Sequence, residues 1–245
     1  MKKTIILFLI SLFTLQSCSV NSEIVYHKDA ASSSITDIDT REFMSEMMAM
    51  TPDSLKQKEF SEMDKLPTAW TSMYDLAKQE GKLKTENPDS IRIMKKVFMK
   101  SMKEEQKLAG FSFKMEHFTA EDYQVLKNFT KTEKIPLDQN IYNHWDGKTL
   151  TINTDNFNLK SIEEAIKTKS SKEESEKIAG MMVMFFKKIG TTIKFESPIK
   201  SISGKHDWVK QIDDHSIRID YDLKAIYDQD TKLKNADKKI IIVTE

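Results

Sequence analysis

The stretch that decides the fold is EIVYHKDAASSSITDID, residues 23–39. On both sides of Asp29-Ala30-Ala31, β-branched and aromatic residues alternate with polar ones, which is the pattern of half-buried strands. Asp29-Ala30-Ala31 is the short connection between them. The sequence therefore predicts an antiparallel hairpin with strands over 23–28 and 32–39.

Further strands are predicted along the rest of the chain, because short β-branched runs are separated there by turn residues. Their ranges are 110–118, 149–154, 191–195, 198–204, 216–223 and 240–244. Asp146-Gly147, just before the second of them, is typical of a hairpin turn. With strands first and last and helices between them, the predicted fold class is α+β. A largely antiparallel sheet would be built from the N-terminal hairpin and the C-terminal strands, with several amphipathic helices between them.

Helical signals lie mostly between the two groups of strands. Pro52 and Pro88 each precede an Asp-Ser-apolar triplet, whose side-chain oxygens can cap a first turn. Apolar residues at 91, 94, 97, 98 and 102 predict an amphipathic helix after Pro88. Thr119 is predicted to cap a helix through Phe129. Apolar residues between 178 and 189 predict the most apolar helix of the chain.

The chain begins like a protein destined for export. Met1-Lys2-Lys3 is a short positive segment, and residues 5–15 are apolar apart from Ser11 and Thr14. Small and polar residues follow, as in an export signal. At ~1.5 Å per helical residue this segment covers about 16 Å, whereas a hydrocarbon core is about 30 Å thick. A cleaved signal is therefore predicted rather than a transmembrane anchor.

Leu15-Gln16-Ser17-Cys18 resembles the lipobox of bacterial lipoproteins. The resemblance implies that a diacylglyceryl group is attached to the Cys18 sulfur, that cleavage occurs before Cys18, and that the new amino group is acylated. Two or three acyl chains on one residue make a stable membrane anchor. The expected segments are a signal peptide over 1–17, a lipidated tether over 18–22 and a single α+β domain over 23–245. Ser19 implies sorting to the outer membrane, with the domain facing the periplasm.

Composition limits the class of the mature chain. Residues 18 to 245 carry 36 basic and 38 acidic side chains, so no basic field for nucleic acid is expected. Six glycines and five prolines are scattered, and no Gly/Ser/Pro-rich segment divides the chain, which favours one domain. Cys18 is the single cysteine, so the core must hold the domain together without disulfides. No cofactor is expected beyond the covalent diacylglycerol and N-acyl chain at Cys18.

Two segments of the body resemble uncharacterised envelope lipoproteins of the Bacteroidetes kind. One is residues 193–223, in which an apolar strand closes on Gly204 and an acidic turn leads to a second strand. The other is YHKDAASSSITDIDTREF, residues 26–43. The resemblance implies an envelope location and no catalytic residue.

Local catalytic motifs are missing from the sequence: GxSxG, GxxxxGK[ST], GxGxxG, HExxH and CxxC do not occur. The histidines are His27, His117, His144, His206 and His215. None has a second histidine at i+2 to i+5, which favours single surface or hairpin positions over metal ligation. The catalytic alternative is a hydrolase with a dispersed site around His117, Glu116 or His144.

Two aspartate pairs lie two residues apart on predicted strands and therefore share a face: Asp37 with Asp39, and Asp220 with Asp222. They could bind Ca²⁺ or share a proton. Neither pair has the glycine-containing loop of a calcium hand, which favours solvated charges at strand edges. The run NTDNFN, residues 153–158, is rich in oxygen ligands and equally typical of a turn.

Methionines form two clusters, Met44, Met47, Met48 and Met50, and Met181, Met182 and Met184. Thioethers bind Cu(I), so copper handling is one interpretation. The helical spacing and the interleaved phenylalanines favour core packing instead. A third interpretation is an apolar cavity that accepts acyl chains.

These observations favour a membrane-anchored, periplasm-facing lipoprotein without catalytic activity, which binds a lipid, another hydrophobic ligand or an envelope protein. The alternatives are the dispersed hydrolase and a structural subunit of an outer-membrane assembly. Ser54 and Ser90 match a short pattern for O-glycosylation, although helix capping also explains both.

Overall fold

The structure is a computed structural model. It describes residues 18–42, 44–45, 65–83, 85–105, 107–130, 143–157, 186–222 and 232–245. The predicted signal peptide over 1–17 lies outside these ranges. So do Ser54 and the residues of the two methionine clusters other than Met44.

The described residues form two β-sheets and three α-helices. The strands are β1 Cys18–Tyr26, β2 Ser32–Asp39, β3 Thr71–Ser72, β4 Val97–Glu104, β5 Lys107–Phe118, β6 Asn143–Trp145, β7 Thr149–Asn153, β8 Phe186–Phe195, β9 Ile199–Ser203, β10 Val209–Gln211, β11 Ser216–Tyr221 and β12 Lys239–Thr244. The helices are α1 Met73–Gln79, α2 Pro88–Lys96 and α3 Ala120–Thr130, and Thr154–Asn156 form a 3₁₀ turn.

The larger sheet has eight strands in the order β10-β11-β8-β1-β2-β5-β4-β3, and the smaller has four in the order β6-β7-β12-β9. β1 pairs with β8 in parallel, and the other strand pairs are antiparallel. The predicted α+β class is confirmed in this broad form. The larger sheet is mixed, however, and it also contains the β4–β5 hairpin from the middle of the sequence.

The N-terminal hairpin predicted from residues 23–39 is present and starts earlier than predicted. β1 and β2 pair from Ser19 opposite Asp39 to Tyr26 opposite Ser32. In the turn, Asp29 Oδ1 accepts a hydrogen bond from Ala31 N at 3.1 Å. Residues 18–22, which the sequence assigns to a tether, form the first half of β1.

The amphipathic helix predicted after Pro88 is shorter than its apolar stripe suggests. Asn87 caps it by accepting from Asp89 N and Ser90 N, and α2 ends at Lys96. Val97 begins β4, which pairs with β5. Apolar side chains at 97, 98, 99 and 102 also fit a strand, and pairing with the phenylalanine-rich β5 decides between the two conformations.

A second predicted helix is partly replaced by a strand. Residues 186–190, the end of the apolar stretch from 178, belong to β8, and Ile189 lies opposite Val20 of β1. The earlier part of that stretch lies outside the described residues. The predicted strand over 198–204 is β9, which joins the smaller sheet by pairing with β12.

One arginine joins three strands of the larger sheet on its polar face. Arg218 of β11 donates to Asp220 Oδ1 at 2.8 Å, to Thr192 Oγ1 at 3.0 Å and to Asn21 Oδ1 at 3.1 Å. Its guanidinium lies directly over Gly190, where an added Cβ would come within 1.9 Å of Nη2. A side chain at position 190 would therefore displace the arginine.

The main core lies between the two sheets. Its buried members are Ile24, Tyr26, Leu150, Ile152, Ile193, Phe195, Trp208, Ile217, Ile219, Ile240 and Ile242. Seven of these are isoleucines on strands, which pack well against a neighbouring sheet face. A second core, under α2 and α3, contains Ile93, Met115, Phe118 and Leu126.

A buried carboxylate links α2 to α3. Asp122 is fully buried, accepts from Thr119 N at 3.1 Å and completes a reciprocal cap with the Thr119 hydroxyl. It also binds the guanidinium of Arg92, and Lys96 Nζ lies 2.6 Å from Oδ2. The predicted cap at Thr119 is therefore confirmed, and its partner ties the helix to α2.

Replacing Asp122 should destabilise the domain much more than replacing its exposed neighbour. We expect Asp122→Ala to lower the free energy of unfolding by about 2–3 kcal/mol, because Arg92 and Lys96 lose their buried partner. Asp89→Ala, which removes an exposed partner of Arg92, should cost under about 1 kcal/mol. Urea unfolding of both variants tests this, and equal losses would contradict it.

Candidate functional site

Five polar side chains meet where three strands of the larger sheet end. His27 directly follows β1 and Glu196 directly follows β8. Because β1 and β8 are parallel, with Tyr26 opposite Phe195, the residues that follow them lie at the same edge. Ser33 of β2 and His117 of β5 reach the same place. We call His27, Asp29, Ser33, His117 and Glu196 the histidine cluster.

His27 is held between a carboxylate and a hydroxyl. Its Nδ1 lies 2.7 Å from Glu196 Oε1, and its Nε2 lies 2.8 Å from Ser33 Oγ. The other oxygen of Glu196 accepts from Lys28 N at 2.9 Å. The hydrogen bond from His27, followed by that from Lys28, lowers the pKa of Glu196. Because an ionised carboxylate only accepts, Nδ1 carries the hydrogen and Nε2 is the acceptor for Ser33.

The second histidine stands beside the first. The ring centroids of His27 and His117 are 5.4 Å apart. His117 Nε2 lies 2.8 Å from Asp29 Oδ2, and its backbone N donates to Ser33 Oγ at 3.0 Å. His117 has φ +48°, a left-handed conformation that is uncommon for histidine, and β2 and β5 shift register between Ser32 and Ser34. The hydrogen bond from Ala31 N, and then that from His117, lowers the pKa of Asp29.

The histidine cluster is open to solvent on one side. The exposed fraction of the side chain is 53% for His117, 43% for Glu196 and 20% for His27. Trp145 of β6 donates from Nε1 to the His27 carbonyl at 2.8 Å, which ties the edge of the larger sheet to the smaller one. A small molecule could therefore reach the cluster, while its innermost ring stays held in place.

Metal binding has no support in the part of the chain that the structure describes. No three histidine, cysteine, aspartate or glutamate side chains are arranged there to hold an ion. In the histidine cluster, both ring nitrogens of His27 are already engaged. Met44 is buried, and the other residues of the two methionine clusters lie outside the described ranges, so the copper interpretation gains nothing.

The residues named for a dispersed hydrolase site are only partly brought together. His117 belongs to the histidine cluster, whereas Glu116 forms an ion pair with Lys114 at 2.5 Å. His144 is exposed on β6, and no hydrogen bond among the described residues connects it to the cluster. Sequence reasoning missed Ser33 and Glu196, since neither carries a local motif.

The remaining histidines have separate surroundings. His206 is buried against the rings of Phe157 and Trp208, and its Nδ1 accepts from Trp208 N at 3.2 Å. Burial lowers the pKa of His206, which favours the neutral ring. His215 forms an exposed pair with Asp214 at 2.9 Å. The sequence favours single surface or hairpin positions for the five histidines, and the fold brings two of them, His27 and His117, side by side.

Three aspartates of the two pairs accept hydrogen bonds from a serine hydroxyl or from an arginine. Asp37 accepts from Ser112 Oγ at 2.6 Å, Asp39 binds Arg41, and Asp220 accepts from Arg218. Hydrogen bonds from Arg41 lower the pKa of Asp39. These contacts favour paired charges over a Ca²⁺ site, but β2 and β11 are interior strands of the larger sheet, so the aspartates do not protect a sheet edge.

Two further sequence patterns prove to be local structure. In the run 153–158, Asn153 accepts from Asp155 N at 3.1 Å and opens the 3₁₀ turn, which confirms the turn interpretation. Ser90 is only 4% exposed, so a glycosyltransferase could not reach it in the folded domain.

A second feature lies at the opposite end of β1, beside Cys18. Tyr221, Ile189, Val20, Ile38 and Phe111 are successive partners across β11, β8, β1, β2 and β5. All five are half-buried. The next row inward is polar, with Ser22 Oγ and Thr36 Oγ1 3.0 Å apart. We call the five residues the apolar row.

Comparisons with known proteins add little. No known protein family matches the chain, and no curated protein matches it. A search of solved structures finds the NMR structure of the folded domain of LppM from Mycobacterium tuberculosis, with 10% identity, a TM-score of 0.38 and coverage of 94% of this chain and 90% of that one. A TM-score below 0.5 does not establish a common fold.

Among the described residues, no helix is both long and apolar enough to cross a bilayer.

The free energy of unfolding should decrease at low pH as Glu196 becomes protonated. A carboxyl group whose pKa is lower in the folded state adds stability above its unfolded pKa and loses it as the pH falls through the folded pKa. The free energy of unfolding should begin to decrease near pH 4.5, the ordinary pKa of a glutamate, and should decrease further toward lower pH. In Glu196→Gln this decrease should be smaller, whereas Glu86→Gln, at an exposed position, should follow the parent. Urea unfolding between pH 6 and 3 tests this, and parallel curves for all three proteins would contradict it.

Proposed function

We propose that the protein is a lipid-anchored protein of the bacterial envelope, whose domain rests on the membrane surface and binds the acyl chain of a lipid or a similar apolar ligand. The observation that carries the proposal is the position of Cys18 as the first residue of β1, a strand with a partner on each side. The lipobox-like sequence before Cys18 supplies the reason for acylation.

Cys18 is followed directly by a paired strand and not by a flexible tether, which supports a position of the domain at the membrane surface. From Ser19 onward β1 is paired with both β2 and β8. An acyl chain on Cys18 that inserts into a bilayer would therefore bring the adjacent edge of the larger sheet to the level of the headgroups. A flexible tether would instead let the domain move away from the membrane.

The apolar row supports an acyl ligand. Val20 follows Cys18 by two residues, about 7 Å along a strand. Large half-buried side chains from five adjacent strands therefore lie close to the proposed bilayer surface. Transfer of an acyl chain from water onto such a surface is favourable by about 0.8 kcal/mol for each buried CH₂ group. The outer membrane and the periplasm-facing orientation remain part of this proposal.

Cys18 should carry the acyl groups. In cells grown with radiolabelled palmitate, the parent protein should be labelled and should enter the detergent phase, because two or three acyl chains hold a protein in a membrane. Cys18→Ser should lose the label and enter the aqueous phase. Equal labelling of both proteins would contradict the anchor, and labelling of neither would too.

The apolar row should determine the affinity for acyl ligands. We expect Phe111→Ser to weaken the binding of a fluorescent fatty acid about tenfold or more, since a buried phenylalanine contributes about 1.5–3 kcal/mol. Ile212→Ser is the matched control, because Ile212 is 57% exposed and follows β10, away from Cys18. Fluorescence titration measures both, after circular dichroism shows that each variant is folded. An unchanged dissociation constant for Phe111→Ser would contradict the proposal.

A further inference from the structure

We propose that Ser33, His27 and Glu196 form a nucleophile, base and acid that hydrolyse carboxylic esters. This activity goes beyond the binding function proposed above and does not depend on it. His27 and Ser33 lie six residues apart in the N-terminal hairpin, whereas Glu196 comes 169 residues after His27, so no local sequence motif contains all three.

The hydrogen-bond chain has the order that nucleophilic catalysis requires. Ser33 Oγ lies 2.8 Å from His27 Nε2, and His27 Nδ1 lies 2.7 Å from Glu196 Oε1. A serine hydroxyl becomes a useful nucleophile when an adjacent base takes its proton and a third group orients that base. Such a triad is recognised by this geometry, whatever the fold or the chain order.

Glu196 is a positioning residue in this arrangement. Lys28 N holds its second oxygen at 2.9 Å, so the carboxylate keeps one orientation toward His27. It accepts from Nδ1 and therefore leaves the lone pair of Nε2 directed at the serine hydroxyl. The hydrogen bond from Trp145 Nε1 to the His27 carbonyl holds the backbone of His27 in place.

His117 provides a backbone donor beside the nucleophile. Its backbone N–H already donates to Ser33 Oγ at 3.0 Å, which stabilises negative charge as that oxygen loses its proton. Its ring stands 5.4 Å from the His27 ring and is held through Nε2 by Asp29.

The reaction consumes one ester and one water. Ser33 Oγ bonds to the ester carbonyl carbon while its proton moves to His27 Nε2. The tetrahedral intermediate then breaks its bond to the alkoxy oxygen, which takes that proton and leaves as an alcohol. Water attacks the acyl-serine and gives a proton to His27. The intermediate collapses, the proton returns to Ser33 Oγ, and a carboxylic acid is released.

The position of the cluster indicates the substrate class. Cys18 and Tyr26 bound β1, so the cluster lies about 26 Å from Cys18 at ~3.3 Å per residue. Membrane lipids around the anchor are therefore out of reach. His117 and Glu196 are about half exposed, which leaves room for a water-soluble substrate. We assign a short-chain carboxylic ester.

The first test uses the full chain purified in mild detergent, with p-nitrophenyl acetate as substrate and a fluorophosphonate as covalent probe. We expect turnover above the buffer rate and a phosphonyl adduct on the peptide that contains Ser33. Ser33→Ala should lower kcat at least about 100-fold. Ser203→Ala, an exposed strand serine, should match the parent. No adduct on Ser33 in the parent protein would overturn the proposal.

The second test separates catalysis from support of the fold. Glu196→Gln should lower kcat with little change in KM and should alter the pH profile of kcat, because the amide can donate to Nδ1 and reverse the tautomer. Glu196→Asp should restore part of the rate. If the loss of activity in these variants only parallels their loss of thermal stability, the proposed role of Glu196 is overturned.

A third measurement tests the proposal even if Ser33→Ala does not fold. The variant Ser33→Cys keeps a group that can donate to His27, and a thiol beside a base is deprotonated more readily. Iodoacetamide should alkylate it faster than in the double variant with His27→Gln. Equal alkylation rates would show that His27 does not activate position 33 and would overturn the proposal.

Discussion

The parallel pairing of β1 with β8 is the constraint on which the rest of the structure depends. It places Ile24 beside Ile193 in the core between the two sheets and lets Arg218 reach across three strands. It also puts His27 next to Glu196, 169 residues later in the chain. A slip of one residue would turn every side chain of β1 to the other face of the sheet. Both the main core and the histidine cluster therefore require the same register of β1 against β8.

Local patterns predicted the parts of the fold that depend on local chemistry. The N-terminal hairpin follows from alternation around Asp29-Ala30-Ala31, and the Asp146-Gly147 turn is present, with φ +95° at Gly147. Thr119 caps its helix as predicted. In each case the residues that decide the structure are neighbours in the sequence.

The errors arose where partners distant in the sequence decide the conformation. The apolar side chains at 97, 98, 99 and 102 suit either a helix stripe or a strand, and pairing with β5 selects the strand. Residues 186–190 likewise join β1 and β11. The histidine cluster was beyond local reasoning for the same reason, because Ser33, His117 and Glu196 meet only when β1 lies between β2 and β8. A motif search samples one stretch at a time and cannot detect such a site.

Placing Cys18 in β1 also imposes an order of events on the making of the protein. On the processing proposed above, a peptidase that cuts before Cys18 needs an accessible chain, and β1 is accessible only until its partner strands pair with it. One partner, β8, ends at Phe195, so β1 remains unpaired on that side until most of the chain is available to fold. During that interval an unpaired strand of alternating apolar residues is open to wrong pairing. The proposed acylation and cleavage would therefore precede folding, and the β1–β8 pairing of the larger sheet would form last.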